Sequence, residues 1–475
     1  MKTTAFFLAL LALVPAADAG DVRAKVKALA AAPGVKNASW GLSVKDLSGK
    51  AVAAYNPQLN LTPASILKVF VTAAALDRLG PEKTFATGLY YGGKISEGVL
   101  KGDIYIRGAG DPSLGSRLIR GAKPLEQVLQ EWAAAVSEGA GIRDVNGGVV
   151  GDDSAFEDWQ PGSWAWEDIG NYYAARPSAL TVNDGLYKLY LQPAAEAGGP
   201  AVELRTEPVV EDLEFENHML TGPKGSGDNG YIYAFPGQKR AVLRGTIPQG
   251  APEFAIKGAL PDPALFAARS LAYQLSRARV LSRTKPSKGS PLPGAELTKI
   301  TETVSPPLKE VVRVTNKRSF NLYAELLLRH LGGGKPEAGA AAVKAFLSES
   351  GADVSELKLA DACGLSWRNV TKAETFTDLL VSLHKKPYFG DFNDSLVFPG
   401  DPDATGHVRS LGKGTALEKA LRLKSGSLNG VRSYTGYLKT KKGKTLVFTS
   451  ILNNYSMPGA AADKMHEELL LELYN

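Results

Sequence analysis

The chain has 475 residues, a formal charge of +6 and 44% hydrophobic residues, a length that suggests two or three domains with cores large enough to hold by burial. A single cysteine, Cys363, excludes an intramolecular disulfide framework, and the five histidines are scattered without metal-ligand spacing. The mildly basic charge is an ordinary surface balance that also fits an anionic wall or lipid surface nearby, and no module that reads nucleic acid is recognisable.

In chain order, the opening "MKTTAFFLALLALVPAADAGD" has a lysine, an apolar run from Ala5 to Val14, and small residues at Ala17 and Ala19. This is the pattern of a secretory signal peptide over residues 1–19, so an exported, soluble mature protein is expected, and no other stretch is long and apolar enough to span a bilayer. A helix over "DVRAKVKALAAA" and a hairpin of "ASWGLSVKD" with "KAVAAYNP", turning at Leu47 to Gly49, follow.

The next segment, "NLTPASILKVFVTAAALDRLG", reads as a buried helix with Thr62 at the N-cap, Pro63 at the first helical position and Gly80 at the stop. Residues three apart share a helix face, which brings Ser65 and Lys68 together near the N-terminus. A serine hydroxyl is a weak nucleophile until a base removes its proton. A neutral lysine serves when burial and nearby positive charge lower its pKa from about 10.4 toward 7, a differential cost of roughly 4 to 5 kcal/mol. Taken alone the spacing is weak evidence, because it recurs at Ser282/Lys285, Ser355/Lys358, Ser382/Lys385 and Ser410/Lys413. A narrow solvent-facing stripe would explain it equally well.

Residues 86–263 carry short strand-like runs between Gly and Pro clusters ("GVLKGDIYIRGAG", "NGGVVGDD", "YKLYLQP", "AVELRTEPVV", "KRAVLRGTIP"), the texture of a β-rich insertion with a smaller unit nested at about 198–253. Helical texture resumes with Asp262 as cap and Pro263 at the first position, and the basic piece "SRARVLSRTKPSKG" reads as a solvated loop. In "VTNKRSFNLYAELLLRHLG", Ser319 and Asn321 sit at the entry to an amphipathic helix and can point a hydroxyl and an amide into one cleft. Plain capping is the alternative, and Ser427/Asn429 repeats the spacing. In "LRLKSGSLNG" an edge-type strand puts Lys424 and Gly426 on one face. Gly426 would let a substrate backbone approach, and Lys424 with the hydroxyls of Ser425 and Ser427 would hold a carboxylate. A second hairpin ("VRSYTGYLKT", "TLVFTSILNN") and a helix from about Gly459 to Leu473 allow the two chain ends to build one sheet.

Ser-x-x-Lys, Ser-x-Asn and Lys-Ser-Gly in this order resemble the signature of penicillin-binding proteins and serine β-lactamases. The long separation of the first two motifs is similar to the D-alanyl-D-alanine carboxypeptidase/endopeptidase family, the low-molecular-mass class C penicillin-binding proteins (peptidase S13 type). "IYIRGAGDPSL", "WAWEDIGNYYAARPSALTVND", "GLSWRNVT" and "LKSGSLNGVRSYTGYL" extend the likeness over nearly the whole mature chain. The resemblance implies an α+β fold: an antiparallel sheet covered by helices plus a helical lobe, formed by 20–85 and 264–475, with the insertion at 86–263. It also implies cleavage of D-Ala-D-Ala termini or of D-Ala-diamino-acid cross-links through an acyl-enzyme on Ser65. Lys68 would be the base, Ser319 would relay the proton to the leaving amine, Asn321 would bind the acyl side, and Lys424 would face the terminal carboxylate. The backbone amides of Ser65 and Ser427 would form the oxyanion hole, and Asp168 would read the diamino acid's amino group. Neither cofactor nor metal is implied, and the partners would be peptidoglycan stem peptides and β-lactams, with at most peripheral membrane contact and a homodimer left open. Where the family has "DGSGLSR" this chain has "DACGLSW", so Trp367 replaces an arginine and Arg368 is the candidate substitute. The competing readings are a β-lactamase or esterase of the same fold, and a catalytically idle wall-binding protein.

Overall fold

The computed structural model describes residues 19–211, 213–235 and 237–475, so the expected signal peptide falls outside the described residues apart from Ala19 at its edge. Both chain ends meet in one antiparallel five-stranded sheet. Its strands are β1 (Ser39–Asp46), β2 (Ala51–Tyr55), β3 (Leu421–Leu428), β4 (Val431–Lys439) and β5 (Thr445–Asn453), in the spatial order β3-β4-β5-β1-β2. Side chains alternate across the pleat. Leu446, Phe448 and Leu452 of β5 therefore enter a core with α1 (Ala19–Ala31) and the C-terminal helix Gly459–Tyr474, whereas Val447 and Ile451 face the helical lobe.

That lobe surrounds α2 (Lys68–Leu79), nine of whose residues are buried. Phe70 stacks on Phe376 with ring centroids 4.1 Å apart, and truncating such a buried ring costs about 3 to 5 kcal/mol. The start of α2 departs from expectation. Pro63 caps a 3-10 turn over Ala64–Leu67, and the α-helix begins only at Lys68. Two features cause this: Asn453 of β5 bonds both the N–H and the C=O of Thr62, and Ala64 sits at φ +53°, where no helix continues. Helix α3 (Asn321–Leu331), amphipathic in sequence, does not show a solvent face. It is buried on every side from Leu322 to Arg329, with Glu325 and Arg329 enclosed at its centre.

Residues 86–304 build the remaining sheets. One has the order Ser287–Lys288, Val149–Asp152, Ile104–Arg107, Ala86–Gly92, Leu297–Val304, and a three-stranded sheet joins Val202–Glu207, Leu186–Gln192 and Phe254–Ala259. A four-stranded sheet centred on Arg240–Pro248 lies within the expected nested span. Helix Pro263–Arg277 starts as expected, with Asp262 accepting from the Leu265 N–H at 3.0 Å. Its buried face nevertheless packs into the core of the insertion, and Leu297–Val304 pairs with Ala86–Gly92. The expected change of unit at 263/264 therefore does not coincide with a change of packing, which runs on to Val304. The expected solvated loop at 276–289 also contains two short strands, Leu281–Ser282 and Ser287–Lys288, each paired in parallel with a strand of the insertion.

Candidate active site

The end of β3, the start of α2 and the turn before α3 converge on one cleft. Ser65 and Lys68, in successive tight turns, place Lys68 Nζ 2.9 Å from Ser65 Oγ. Lys68 is fully buried and also reaches Asn321 Oδ1 at 2.7 Å and the Cys363 carbonyl at 2.6 Å. The Asn321 amide is oriented unambiguously: its Nδ2 donates to the Tyr173 carbonyl at 2.7 Å, so Oδ1 must face the lysine. A neutral amine has two N–H bonds and one lone pair. Asn321 Oδ1 and the Cys363 carbonyl, which only accept, take the two hydrogens, leaving the lone pair for the Ser65 hydroxyl.

The electrostatics favour that state. Burial holds the Lys68 pKa below its ordinary value, opposed by the acidic groups of Cys363, Asp361 and Glu325. Lys424 Nζ lies 2.9 Å from Ser319 Oγ and 2.6 Å from the Ser425 carbonyl, and is held well below its usual range by burial and then by the charge of Lys68. Four of the five motif residues thus form two amine–hydroxyl pairs with buried amines, and the fifth, Asn321, bonds Lys68. The solvent-facing stripe is excluded, since Lys68 and Thr72 are both fully buried.

Backbone strain flanks both hydroxyls. Ala64 has φ +53° and Ser319 φ +54°, a region that costs about 1 to 3 kcal/mol for a residue other than glycine and recurs at functional sites. Gly426 is also required by the protein's own packing. A Cβ there would lie 2.8 Å from the Pro63 carbonyl and 2.9 Å from the Ser65 nitrogen. The Ser433 hydroxyl, 2.3 Å from that position, and the backbone of the Ser65 turn fill the space, which docks β3 against the turn. Gly364 is tighter still, since a Cβ would come within 2.0 Å of the Ala64 carbonyl.

Three buried acidic or thiol groups stand behind Lys68. Glu325 Oε1 accepts the amides of Ala362 and Cys363 at 2.8 and 3.0 Å, and its carboxyl is pushed up to about 7 by burial and by Asp361. Asp361 accepts from Trp164 Nε1, the Gly364 and Ser366 amides and Asn369 Nδ2. Although Glu325, Asp361 and Cys363 lie close enough to share an ion, these hydrogen bonds already shape the loop that presents the Cys363 carbonyl. Burial raises the Cys363 thiol well above its ordinary value, making it a packed small side chain, not a nucleophile.

The remaining expected residues divide. Asp168 is half-buried and hydrogen-bonded to Tyr173, the residue whose carbonyl fixes Asn321, and burial with the charge of Glu167 raises its carboxyl to about 6. Ser425 is buried beside Lys424, and exposed Ser427 offers its hydroxyl at the strand end. Arg368 is exposed, as is neighbouring Trp367, and neither joins the hydrogen-bonded cluster. One participant escaped the sequence reading. Arg432, directly opposite Ser427 in the β3–β4 register, donates from Nη1 to Ser427 Oγ at 2.6 Å and is anchored by Asp463 at 2.8 Å. Its signal was the hairpin itself, because Leu428 to Val431 is a tight turn that brings residue 432 back beside residue 427. A separate hollow of about 590 Å³, lined by Leu129, Val209, Leu265, Phe266 and Tyr273 among others, contains none of these groups.

A family model described as the D-Ala-D-Ala carboxypeptidase 3 (S13) family matches residues 22–471. A D-alanyl-D-alanine carboxypeptidase of Actinomadura sp. (strain R39) is 29% identical over 463 residues, covering 93% of this chain and 82% of that protein. The D-alanyl-D-alanine carboxypeptidase DacB of Haemophilus influenzae is 25% identical over 431 residues, covering 88% and 85%. Among solved structures, penicillin binding protein 4 (dacB) from Haemophilus influenzae superposes with a TM-score of 0.79 at 23% identity, over 96% of this chain and 99% of that one.

Proposed function

Because the chain belongs to the D-Ala-D-Ala carboxypeptidase 3 (S13) family, we propose that it is a penicillin-binding peptidase in which Ser65 is acylated by the penultimate D-Ala and Lys68 is the base. The observation that carries this reading is the buried Lys68 amine, held by two acceptors with its lone pair toward Ser65. Ser65 Oγ attacks the carbonyl carbon, and its proton passes to Lys68. The carbonyl oxygen becomes an oxyanion between the amides of Ser65 and Ser427, donors worth about 3 kcal/mol each in such a role. The C–N bond then breaks, and the leaving amine takes its proton through Ser319, which Lys424 holds in place. Water hydrolyses the resulting ester and restores Ser65.

Lys424 and Arg432 divide the recognition of the terminal carboxylate. Lys424 is held toward its neutral form in the free protein, and an arriving carboxylate favours its ammonium form. Arg432 presents a planar fork of donors suited to a carboxylate and lies at the Ser427 hydroxyl. Arg432→Ala is expected to lower kcat/KM for carboxylate-terminated substrates about 10- to 100-fold, the scale of a lost charged hydrogen bond, while leaving a carboxylate-free ester nearly unaffected. Equal losses on both substrates would assign Arg432 to packing alone.

Asp168 fits the recognition of a cationic amine on the stem peptide, since it is ionised at neutral pH and lies on the wall continued by Tyr173. The leader-like residues 1–19 and a cell-wall substrate support an exported enzyme of the periplasm or cell envelope. Among the described residues no helix is long and apolar enough to cross a membrane. Incubation with a stem pentapeptide is expected to release D-Ala, and penicillin is expected to leave a long-lived adduct on Ser65. A short-lived adduct would point to a β-lactamase, and no release at all to a wall-binding protein. Mass spectrometry of digested wall fragments separates loss of terminal D-Ala from cleavage of cross-links.

A further inference from the structure

A row of aromatic rings leads away from the active site along the insertion. It begins at Phe320, next to Ser319, and continues through Tyr172, whose ring centroid is 6.3 Å from that of Phe320, to Tyr173, which packs edge-on against Tyr172 at 5.5 Å. A second group lies on strand Asn229–Tyr233, where Tyr231 and Tyr233 are two residues apart and therefore on one face, with centroids 6.2 Å apart; it has no ring contact with the first group, but Tyr231 is near enough to help raise the Tyr173 phenol. Trp166 ends the row, tilted 47° against Tyr233 at 4.9 Å. The outer rings are open to solvent: Trp166 is 60% and Tyr231 39% exposed. The row starts at a residue that abuts the catalytic serine–amine pairs, and its Tyr173 carbonyl fixes Asn321.

Exposed aromatic area of this kind is costly to leave in water and marks a binding surface. The carboxylates around it narrow the ligand. Glu167 and Asp168 follow Trp166 in sequence, and Asp168, Glu167 and Asp228 all act on the Tyr231 hydroxyl. Lys257, 5.2 Å from the Tyr172 ring centroid, offsets part of this charge, so the surface offers no basic patch for nucleic acid or anionic lipid. It suits a neutral ligand rich in hydroxyl and amide donors, and the rings demand that this ligand also present apolar faces. Pyranose sugars combine both features: one face of the ring carries C–H bonds that lie against the electron-rich face of an aromatic ring, while the edge carries donors for carboxylates. The substrate chemistry supplies such rings, because stem peptides hang from a strand of N-acylated amino sugars.

We infer that Trp166, Tyr231 and Tyr233 form a glycan-binding platform that holds the sugar strand while its stem peptide occupies the cleft. The inference rests on the peptidase reading above, and one experiment separates the two. The wild type and the surface variants Trp166→Ala and Trp166→Phe are assayed on a free stem pentapeptide and on the same peptide carrying its disaccharide, with penicillin labelling as a control for the site. The wild type is expected to have a KM about fivefold lower for the disaccharide-peptide, at similar kcat. Trp166→Ala is expected to bring the ratio of the two KM values close to one, and Trp166→Phe to keep part of the preference. Equal KM values in the wild type, or the same rise for both substrates in Trp166→Ala, would overturn the platform; the second result would mean that the rings read the peptide. Absence of both penicillin labelling and D-Ala release would instead overturn the peptidase reading.

Discussion

Ser65→Ala is expected to abolish labelling by a fluorescent penicillin and to reduce D-Ala release from a stem pentapeptide by about 10⁴-fold or more, the scale seen when a nucleophile is removed from an acyl-transfer site. The fold should persist. Ser65 is only partly buried, and its side chain contributes one hydrogen bond, from Lys68. The Ser65 amide remains in place, since it is set by the Gly426 and Gly364 contacts and not by the hydroxyl. The variant should therefore still bind substrate, and equilibrium dialysis of an uncleaved pentapeptide would show it. Release of D-Ala at an undiminished rate would refute the mechanism outright.

Lys68→Ala is expected to reduce acylation by about 10³- to 10⁴-fold, at the upper end of what a positioned general base supplies. The pH dependence gives a sharper test. The wild type needs Lys68 uncharged, so acylation should rise with pH along a limb set by its depressed pKa, and that limb should vanish from the residual activity of the variant. Stability carries a second signature. Because burial lowers the Lys68 pKa in the folded protein, the unfolded chain binds a proton that the folded chain does not, at every pH between the folded pKa and 10.5. Folding stability is then fully expressed above pH 10.5 and is lost as the pH falls. Lys68→Ala removes this burden, so the Tm of the variant minus that of the wild type should increase as the pH drops from 10 to 7. Normal penicillin labelling of Lys68→Ala would dismiss it as the base, and a pH-independent Tm difference would mean that it is not held neutral.

The motifs were legible because each is local. Spacings of three and two residues at helix entries, and one of two along a strand, place side chains on a common face whatever the rest of the fold does. The terminal hairpins, the closing helix and the start of helix Pro263–Arg277 were local in the same way. The misreadings came where distant chain segments decide. Asn453 and Gly364 hold the turn before α2 in a 3-10 form, and no feature of residues 60–68 reveals those partners. Leu297–Val304 returns to pair with Ala86–Gly92, so the packing of the insertion outlasts its β-rich texture. Arg432 acquired its place only through pairing across a hairpin.

By itself the sequence determined which groups this protein carries for acyl transfer and which backbone elements present them, because hydroxyl, amine and amide chemistry and short-range periodicity are written residue by residue. Only the tertiary structure decided that the two amines are buried and that the Lys68 amine lies close enough to lower the pKa of Lys424. It alone set Asn321 through the Tyr173 carbonyl, and it alone joined an arginine and a row of aromatic rings to the same cleft. Burial and charge coupling depend on what surrounds a group in space, and those surroundings come from segments hundreds of residues away.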